Sequence, residues 1–344
     1  MKKTKLFHWV LVFVLVICAL ILVACEQDSH PIQDETSQED AASVQEQTSE
    51  MEEKPEEQQP ADAPPPTDTQ APTSVPPTDT PEPLPMEAPG MPPLPPEPQE
   101  ITFEAEDGIV LQGRYYPAAV NPAPIVVLMH WAGGDRNDWN EIAFWLQNRG
   151  LAGTSPNVGT APWLEPTWFP PMIAGQSFGV FTFTFRDCDG GCNNFSANRE
   201  LWRRDAFAAL KKARELEGVD PMLVSTFGAS IGADGSPDAC GPFNHEFEGG
   251  CLGALSLSPG GYLRVPYADA VKVLDEFDPP SPAWCFFSTG DGEASTACKS
   301  ASGDLYQTFE WSGDSHGMVL LQPDIEPSAM ELILDFLKLI YNLE

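Results

Sequence analysis

The order of apolar and polar positions changes twice along the chain and divides it into three parts. Residues 6–24 are apolar apart from His8. Residues 26–100 show no apolar periodicity of any kind. From residue 101 onward, apolar runs return at strand and helix lengths. Ile101–Ala105 and Ile109–Tyr116 read as a β-hairpin around the turn dipeptide Asp107-Gly108. Pro124–Met129 is a continuous apolar run, as expected of a strand covered on both faces. Asp138–Arg149 reads as a helix, Gly179–Phe185 as a strand, and Asn198–Leu216 as a charged amphipathic helix. Met222–Phe227, Leu252–Ser258, Ala283–Ser288 and Leu305–Glu310 are further strands, and a last helix runs near Pro327–Tyr341. Alternation on this scale predicts an α/β domain over 101–344. Its sheet is mostly parallel, with helices on both faces.

Composition accounts for the two earlier parts. Lys2, Lys3 and Lys5 precede the apolar run, which is the layout of an export signal. The run closes on Leu22-Val23-Ala24-Cys25, which resembles the lipobox of bacterial lipoproteins. That resemblance implies removal of residues 1–24 and lipidation of Cys25. The domain would then stand in the cell envelope, outside the cytoplasm, tied to a membrane by lipid. An uncleaved anchor is the alternative, because about 20 apolar residues span a bilayer. Residues 25–100 are rich in Pro, Thr and acids, and the segment PPTDT occurs at 65–69 and again at 76–80. Such a stretch is expected to be an extended, unfolded tether.

Charge narrows the partners. The net charge is −33, and residues 26–100 hold 19 acidic side chains against one Lys. A surface this acidic repels phosphate backbones, which argues against a nucleic-acid partner.

Candidate chemistry lies in the last part. The strand Met222–Phe227 runs into Gly228-Ala229-Ser230-Ile231-Gly232. This is G-x-S-x-G behind a buried strand, where a serine sits on a strained turn and its neighbours two positions away must be small. A hydroxyl nucleophile needs a base. His8 and His30 precede the domain, His130 ends the third strand, and His245 lies between two cysteines. His316 follows the last strand, where the chain can return over Ser230. An imidazole base needs an orienting carboxylate. Asp291, after Ala283–Ser288, is the first choice and Glu293 the second. The end of the preceding strand, Leu257-Ser258-Pro259-Gly260-Gly261, offers no carboxylate. The oxyanion donors expected are the N–H of Ile231 and one from His130-Trp131-Ala132-Gly133-Gly134, with Ala132 ahead of Trp131.

These residues together resemble the α/β-hydrolase superfamily, nearest its dienelactone-hydrolase-like and small esterase members. The resemblance covers residues 101–344. It implies an α/β-hydrolase fold with a sheet of about eight strands, no cofactor, and a small-molecule ester or acyl substrate. The order Ser230, Asp291, His316 matches the family. Three features depart from it. Trp131 stands where relatives carry Gly, and Ser230 stands where dienelactone hydrolases proper carry Cys. Gly235 and Pro237 follow the motif closely, so the nucleophile helix is expected to be short or interrupted.

Six cysteines lie in the domain. Outside the cytoplasm an even count suggests disulfides, and proximity favours Cys188–Cys192, Cys240–Cys251 and Cys285–Cys298. No C-x-x-C or paired-His spacing supports a metal site. Residues 151–178 form a long insert carrying Trp163, Trp168 and Phe169. With Trp131 these could wall an apolar substrate pocket.

Overall fold

The computed structural model describes residues 95–148, 169–247, 250–322 and 325–343. Contacts divide the chain into units Met1–Asp79 and Thr80–Glu344, and every described residue belongs to the second. The expected export signal, Cys25, all of the expected tether before residue 95, Trp163 and Trp168 lie outside the described residues. Among the described residues no helix is long and apolar enough to cross a membrane.

The hairpin forms where the pattern places it. Strands β1 (Gln99–Glu104) and β2 (Val110–Tyr116) pair antiparallel, with Ile101 opposite Gly113. β1 thus starts two residues before the strand expected from 101. Gly108 takes φ 80° in the turn, a conformation that costs a residue without Cβ little.

β3 (Ala123–Met129) is the apolar run read from sequence, and its residues 125–129 are wholly buried. The reason is visible in the packing. Ile125, Val127 and Met129 enter one core, while Val126 and Leu128 enter the other. A strand between two cores has no polar face to show.

A 3-10 turn at Arg136–Trp139 leads into α1 (Asn140–Leu146), followed by β4 (Gly179–Phe183) and α2 (Phe195–Arg214). Then come β5 (Val219–Ala229), α3 (Ile231–Glu246), β6 (Cys251–Leu257), α4 (Tyr267–Asp275), β7 (Ala283–Ser288), α5 (Gly292–Ser300), β8 (Tyr306–Trp311), a 3-10 turn at Gly317–Leu321 and α6 (Ala329–Tyr341). One eight-stranded sheet has the order β1-β2-β4-β3-β5-β6-β7-β8. The pairings from β4 through β8 are parallel, and β2 joins them antiparallel.

Helices α2 to α5 pack on one face, through residues such as Trp202, Ile231, Val271 and Cys298. Helices α1 and α6 cover the other, through Ile142, Trp145, Ile333 and Phe336. Ser328 caps α6 by accepting from Glu331 N–H at 3.4 Å, and Asn342 ends it in the left-handed region. Parallel strands joined by crossover helices all end on the same edge. The segments after β3, β5, β7 and β8 therefore converge there, where ligands bind in open α/β sheets.

One expectation is corrected. Helix α3 runs 16 residues without a break, with Pro237 and Pro242 inside it. The helix is stabilised from outside itself: 12 of its residues are buried between β6, α2 and α4. Tertiary burial outweighs the local cost of Pro and Gly. His245 consequently lies on this helix.

Candidate active site

Ser230 joins β5 to α3 with φ 54° and ψ −114°, a conformation L-residues rarely adopt. Such a backbone costs roughly 1–3 kcal/mol and persists only where its surroundings impose it. Ser230 N–H donates to Leu257 O at 2.8 Å, and Ser230 O accepts from Ala233 N–H at 2.9 Å. The two glycines of the motif are required by contact. A Cβ on Gly228 would overlap the Gly232 carbonyl oxygen, and one on Gly232 would overlap the Met129 carbonyl oxygen. The serine itself is 6% exposed.

Asp291 stands at the N-terminus of α5, directly after β7. Its Oδ2 accepts from His316 Nδ1 at 2.6 Å. Glu293, the second choice, lies near the Tyr262 hydroxyl, and among the described residues no hydrogen bond joins it to His316. Burial first, then the Glu293 carboxylate, raises the Tyr262 pKa. The Tyr262 ring meets His316 edge-on, with centroids 6.3 Å apart.

His316 reaches the elbow through the next residue. A Cβ built on Gly317 would lie 3.3 Å from the Trp131 ring, 3.6 Å from Ala229 Cβ and 3.9 Å from Ser230 Cβ. Gly317 N–H donates to Ser258 Oγ at 2.9 Å, which ties the histidine segment to the end of β6. Among the described residues no hydrogen bond joins Ser230 to His316. Catalytic contacts often close only when substrate is bound.

The segment after β3 is fixed by His130. Phe185 N–H donates to His130 Nε2 at 3.0 Å. The ring is wholly buried, and burial pushes its pKa down to about 4. The imidazole is therefore neutral with its proton on Nδ1, which donates to Trp131 O at 2.6 Å. In a trans peptide the C=O and the following N–H point opposite ways, so this bond turns Ala132 N–H away from His130. Among the described residues no hydrogen bond occupies the N–H of Ala132 or of Ile231. Trp131 Nε1 donates to Asp138 at 2.7 Å, which holds the indole beside Gly317.

Sequence reasoning missed the supports on the α3 side. Asp234, four positions past Ser230, is 2% exposed. Its carboxylate accepts from the backbone N–H of Gly260 at 3.2 Å, of Gly261 at 3.1 Å, and of Tyr262. Burial nevertheless outweighs these donors and raises its pKa to about 7. Arg199 donates to the carbonyls of Gly261 and Tyr262. Asp234 and Arg199 thus hold both polarities of the turn that presents Tyr262 to His316. Only the acid in the first turn of α3 hinted at this.

Phe169 packs edge-on against Trp145, with centroids 5.7 Å apart, and joins the core on the α1 and α6 face. A cavity of about 470 Å³ lies at the start of α5, lined by Gly261, Arg264, Glu293 and Thr296 among others, and neither Ser230 nor Asp291 is in its lining. Among the described residues no group of His, Cys, Asp or Glu is arranged to hold a metal ion. The three expected cysteine pairs, Cys188–Cys192, Cys240–Cys251 and Cys285–Cys298, are each joined.

No family model matches the chain. The uncharacterized protein YfhR of Escherichia coli is 27% identical over 148 residues, 43% of this chain and 43% of its own length. An esterase of Pyrobaculum calidifontis superposes with a TM-score of 0.50 at 17% identity, over 71% of this chain and 86% of its own. A dienelactone hydrolase of Anabaena variabilis aligns over 72% of this chain and 98% of its own, with 13% identity and a TM-score of 0.45. The chain has the α/β-hydrolase fold, with the eight-stranded, mostly parallel sheet described above.

Proposed function

We propose that this chain is a serine hydrolase that cleaves ester bonds of small molecules through an acyl-enzyme intermediate. The 2.6 Å contact between His316 and Asp291, on a segment whose next residue abuts Ser230, carries the reading. Ser230 Oγ attacks the acyl carbonyl carbon and its proton passes to His316 Nε2. Asp291 holds the imidazole in the tautomer that leaves Nε2 free to accept, and stabilises the imidazolium that forms. The carbonyl oxygen becomes an oxyanion, which Ile231 N–H and Ala132 N–H receive. His316 then gives its proton to the leaving alkoxide. Water attacks the acyl-enzyme with His316 as base, releasing the carboxylic acid and restoring Ser230.

The start of α3 favours the same step, because its free N–H groups carry partial positive charge toward the reacting oxygen. The esterase of Pyrobaculum calidifontis shares the fold and lends its class to the substrate proposed here. The sequence ending at Cys25 supports a lipid-anchored place in the cell envelope, and three disulfides suit a compartment outside the cytoplasm.

The test is covalent labelling of the full chain with a fluorophosphonate, read by intact mass beside Ser230→Ala. One adduct that vanishes in the variant, together with hydrolysis of p-nitrophenyl esters, is expected. A folded, oxidised protein that takes no adduct would overturn the hydrolase in favour of a binding domain on the same fold.

A further inference from the structure

We propose that the Cys188–Cys192 disulfide is a positioning element for the oxyanion donor at Ala132, acting through the Cys192 N–H. The inference rests on the hydrolase reading above.

Ala132 lies between two peptide planes, and each is held by one hydrogen bond. The plane before it is held where His130 Nδ1 donates to Trp131 O at 2.6 Å. The plane after it is held where Cys192 N–H donates to Ala132 O at 2.8 Å. With both planes held, the two soft dihedrals at Ala132 are set, and so is the direction of its N–H. The first anchor is a rigid, buried ring on a core strand. The second is only as firm as the backbone at Cys192.

That backbone is otherwise held by its own turn, in which Gly191 N–H donates to Cys188 O at 3.1 Å and Asn193 N–H to Asp187 O at 2.9 Å. It lies in the connection between β4 and α2, where Asp187, Gly190, Gly191 and Asn194 all take positive φ. No strand ladder supports it. Both ends are anchored independently of the disulfide. Arg186 pairs with Asp107 and Asp205 at one end, and Asn198 Nδ2 donates to Asp187 Oδ2 and Asn193 O at the other. The middle contains Asp189-Gly190-Gly191, the most conformationally free stretch of the connection. Cys188 is wholly buried in the core beside Phe185 and Trp202. The disulfide ties Cys192 across this flexible stretch to a fixed point, and Cys192 passes that constraint to Ala132.

The position of this bond separates it from the other disulfides. Cys240–Cys251 closes a longer loop, joining α3 to the start of β6. Loss of Cys240–Cys251 is expected to act on stability, whereas loss of Cys188–Cys192 acts on turnover.

The test compares full-length C188S/C192S and C240S/C251S with the parent, at a temperature where circular dichroism shows all three folded. Three measurements are made: steady-state kinetics (kcat and KM) on a p-nitrophenyl ester, affinity for a trifluoromethyl ketone whose serine adduct carries an oxyanion, and deuterium uptake over residues 130–134. Removing one oxyanion donor costs about 10²–10³ in kcat, so misdirecting it is expected to cost about 10–10² with KM little changed. C188S/C192S should show that fall, a parallel loss of ketone affinity, and faster uptake at 130–134. C240S/C251S should melt lower and keep all three parent values. If C188S/C192S does not fold, C240S/C251S/C285S/C298S, which keeps only the Cys188–Cys192 bond of the domain, is reduced with a dithiol and, after the dithiol is removed, reoxidised with glutathione disulfide; loss on reduction and recovery on reoxidation are expected. A folded C188S/C192S with parent kcat and parent uptake overturns the positioning role alone. A parent that takes no fluorophosphonate at Ser230 overturns the hydrolase reading, and this role with it.

Discussion

His316 Nδ1 and Asp291 Oδ2 lie 2.6 Å apart although 25 positions separate them in sequence. β7 and β8 are parallel neighbours, so the segments leaving them emerge side by side. Asp291→Asn keeps the shape but can hold the imidazole in the wrong tautomer. It is expected to lower kcat by about 10⁴ at neutral pH while the protein stays folded. Glu293→Gln, at a carboxylate near the Tyr262 hydroxyl, should leave kcat near the parent value. Steady-state kinetics on the two variants decide the acid, and a collapse of activity in Glu293→Gln alone would reverse the assignment.

Gly232 meets backbone, whereas Gly235 meets a flexible side chain. A Cβ on Gly232 would overlap the Met129 carbonyl, while one on Gly235 would lie 3.0 Å from Met129 Sδ. Gly232→Ala is expected to destabilise by about 3 kcal/mol or more. Gly235→Ala should cost far less, since Ala gains up to about 1 kcal/mol over Gly within a helix. Urea unfolding of both variants measures the contrast, and equal losses would count against the close approach of α3 to β3.

Asp234 should make stability depend on pH in a defined sense. Its pKa is raised from the usual 3.8 to about 7 in the folded chain, chiefly by burial. The folded state therefore binds this proton more tightly than the unfolded state. The stability it contributes is complete below pH about 4 and is lost as pH rises through about 7. Asp234→Asn cannot titrate, so the stability of parent minus variant should fall between pH 4 and pH 7 and level off above. His130, whose pKa is pushed down to about 4, is present in both proteins and cancels in the difference. Urea melts at pH 4.5, 6 and 7.5 give the result, and a flat difference would remove Asp234 as the cause.

The Cys240–Cys251 bond closes a loop of 11 positions around the end of α3. Its removal in C240S/C251S is expected to cost about 2–3 kcal/mol, as the unfolded chain regains the freedom that the loop denied it. Denaturant midpoints under oxidising conditions test this; a loss below about 1 kcal/mol would mean that α3 and β6 hold each other without the link.

By itself the sequence determined the strand and helix order, the strained serine and the one histidine that follows the last strand. Each of these depends on spacing within a short stretch. Val126 and Val127 had to be apolar because a strand between two cores has no polar side, and Gly228 and Gly232 had to be small because the elbow is tight. The same local character made the run at 231–246 misleading, since Pro237 and Pro242 read as breaks where packing on three sides keeps one helix. Asp291 and Glu293 stand two positions apart at one helix start, and only the tertiary structure sets Asp291 against His316. It alone brought Ser258 under Gly317, Asp234 under the turn at Tyr262, and Cys192 onto Ala132. Those contacts are made between polar backbone and side-chain atoms far apart in sequence. Hydrogen bonds of that kind leave no periodicity along the chain, because the sheet order that creates them is not written in any one segment.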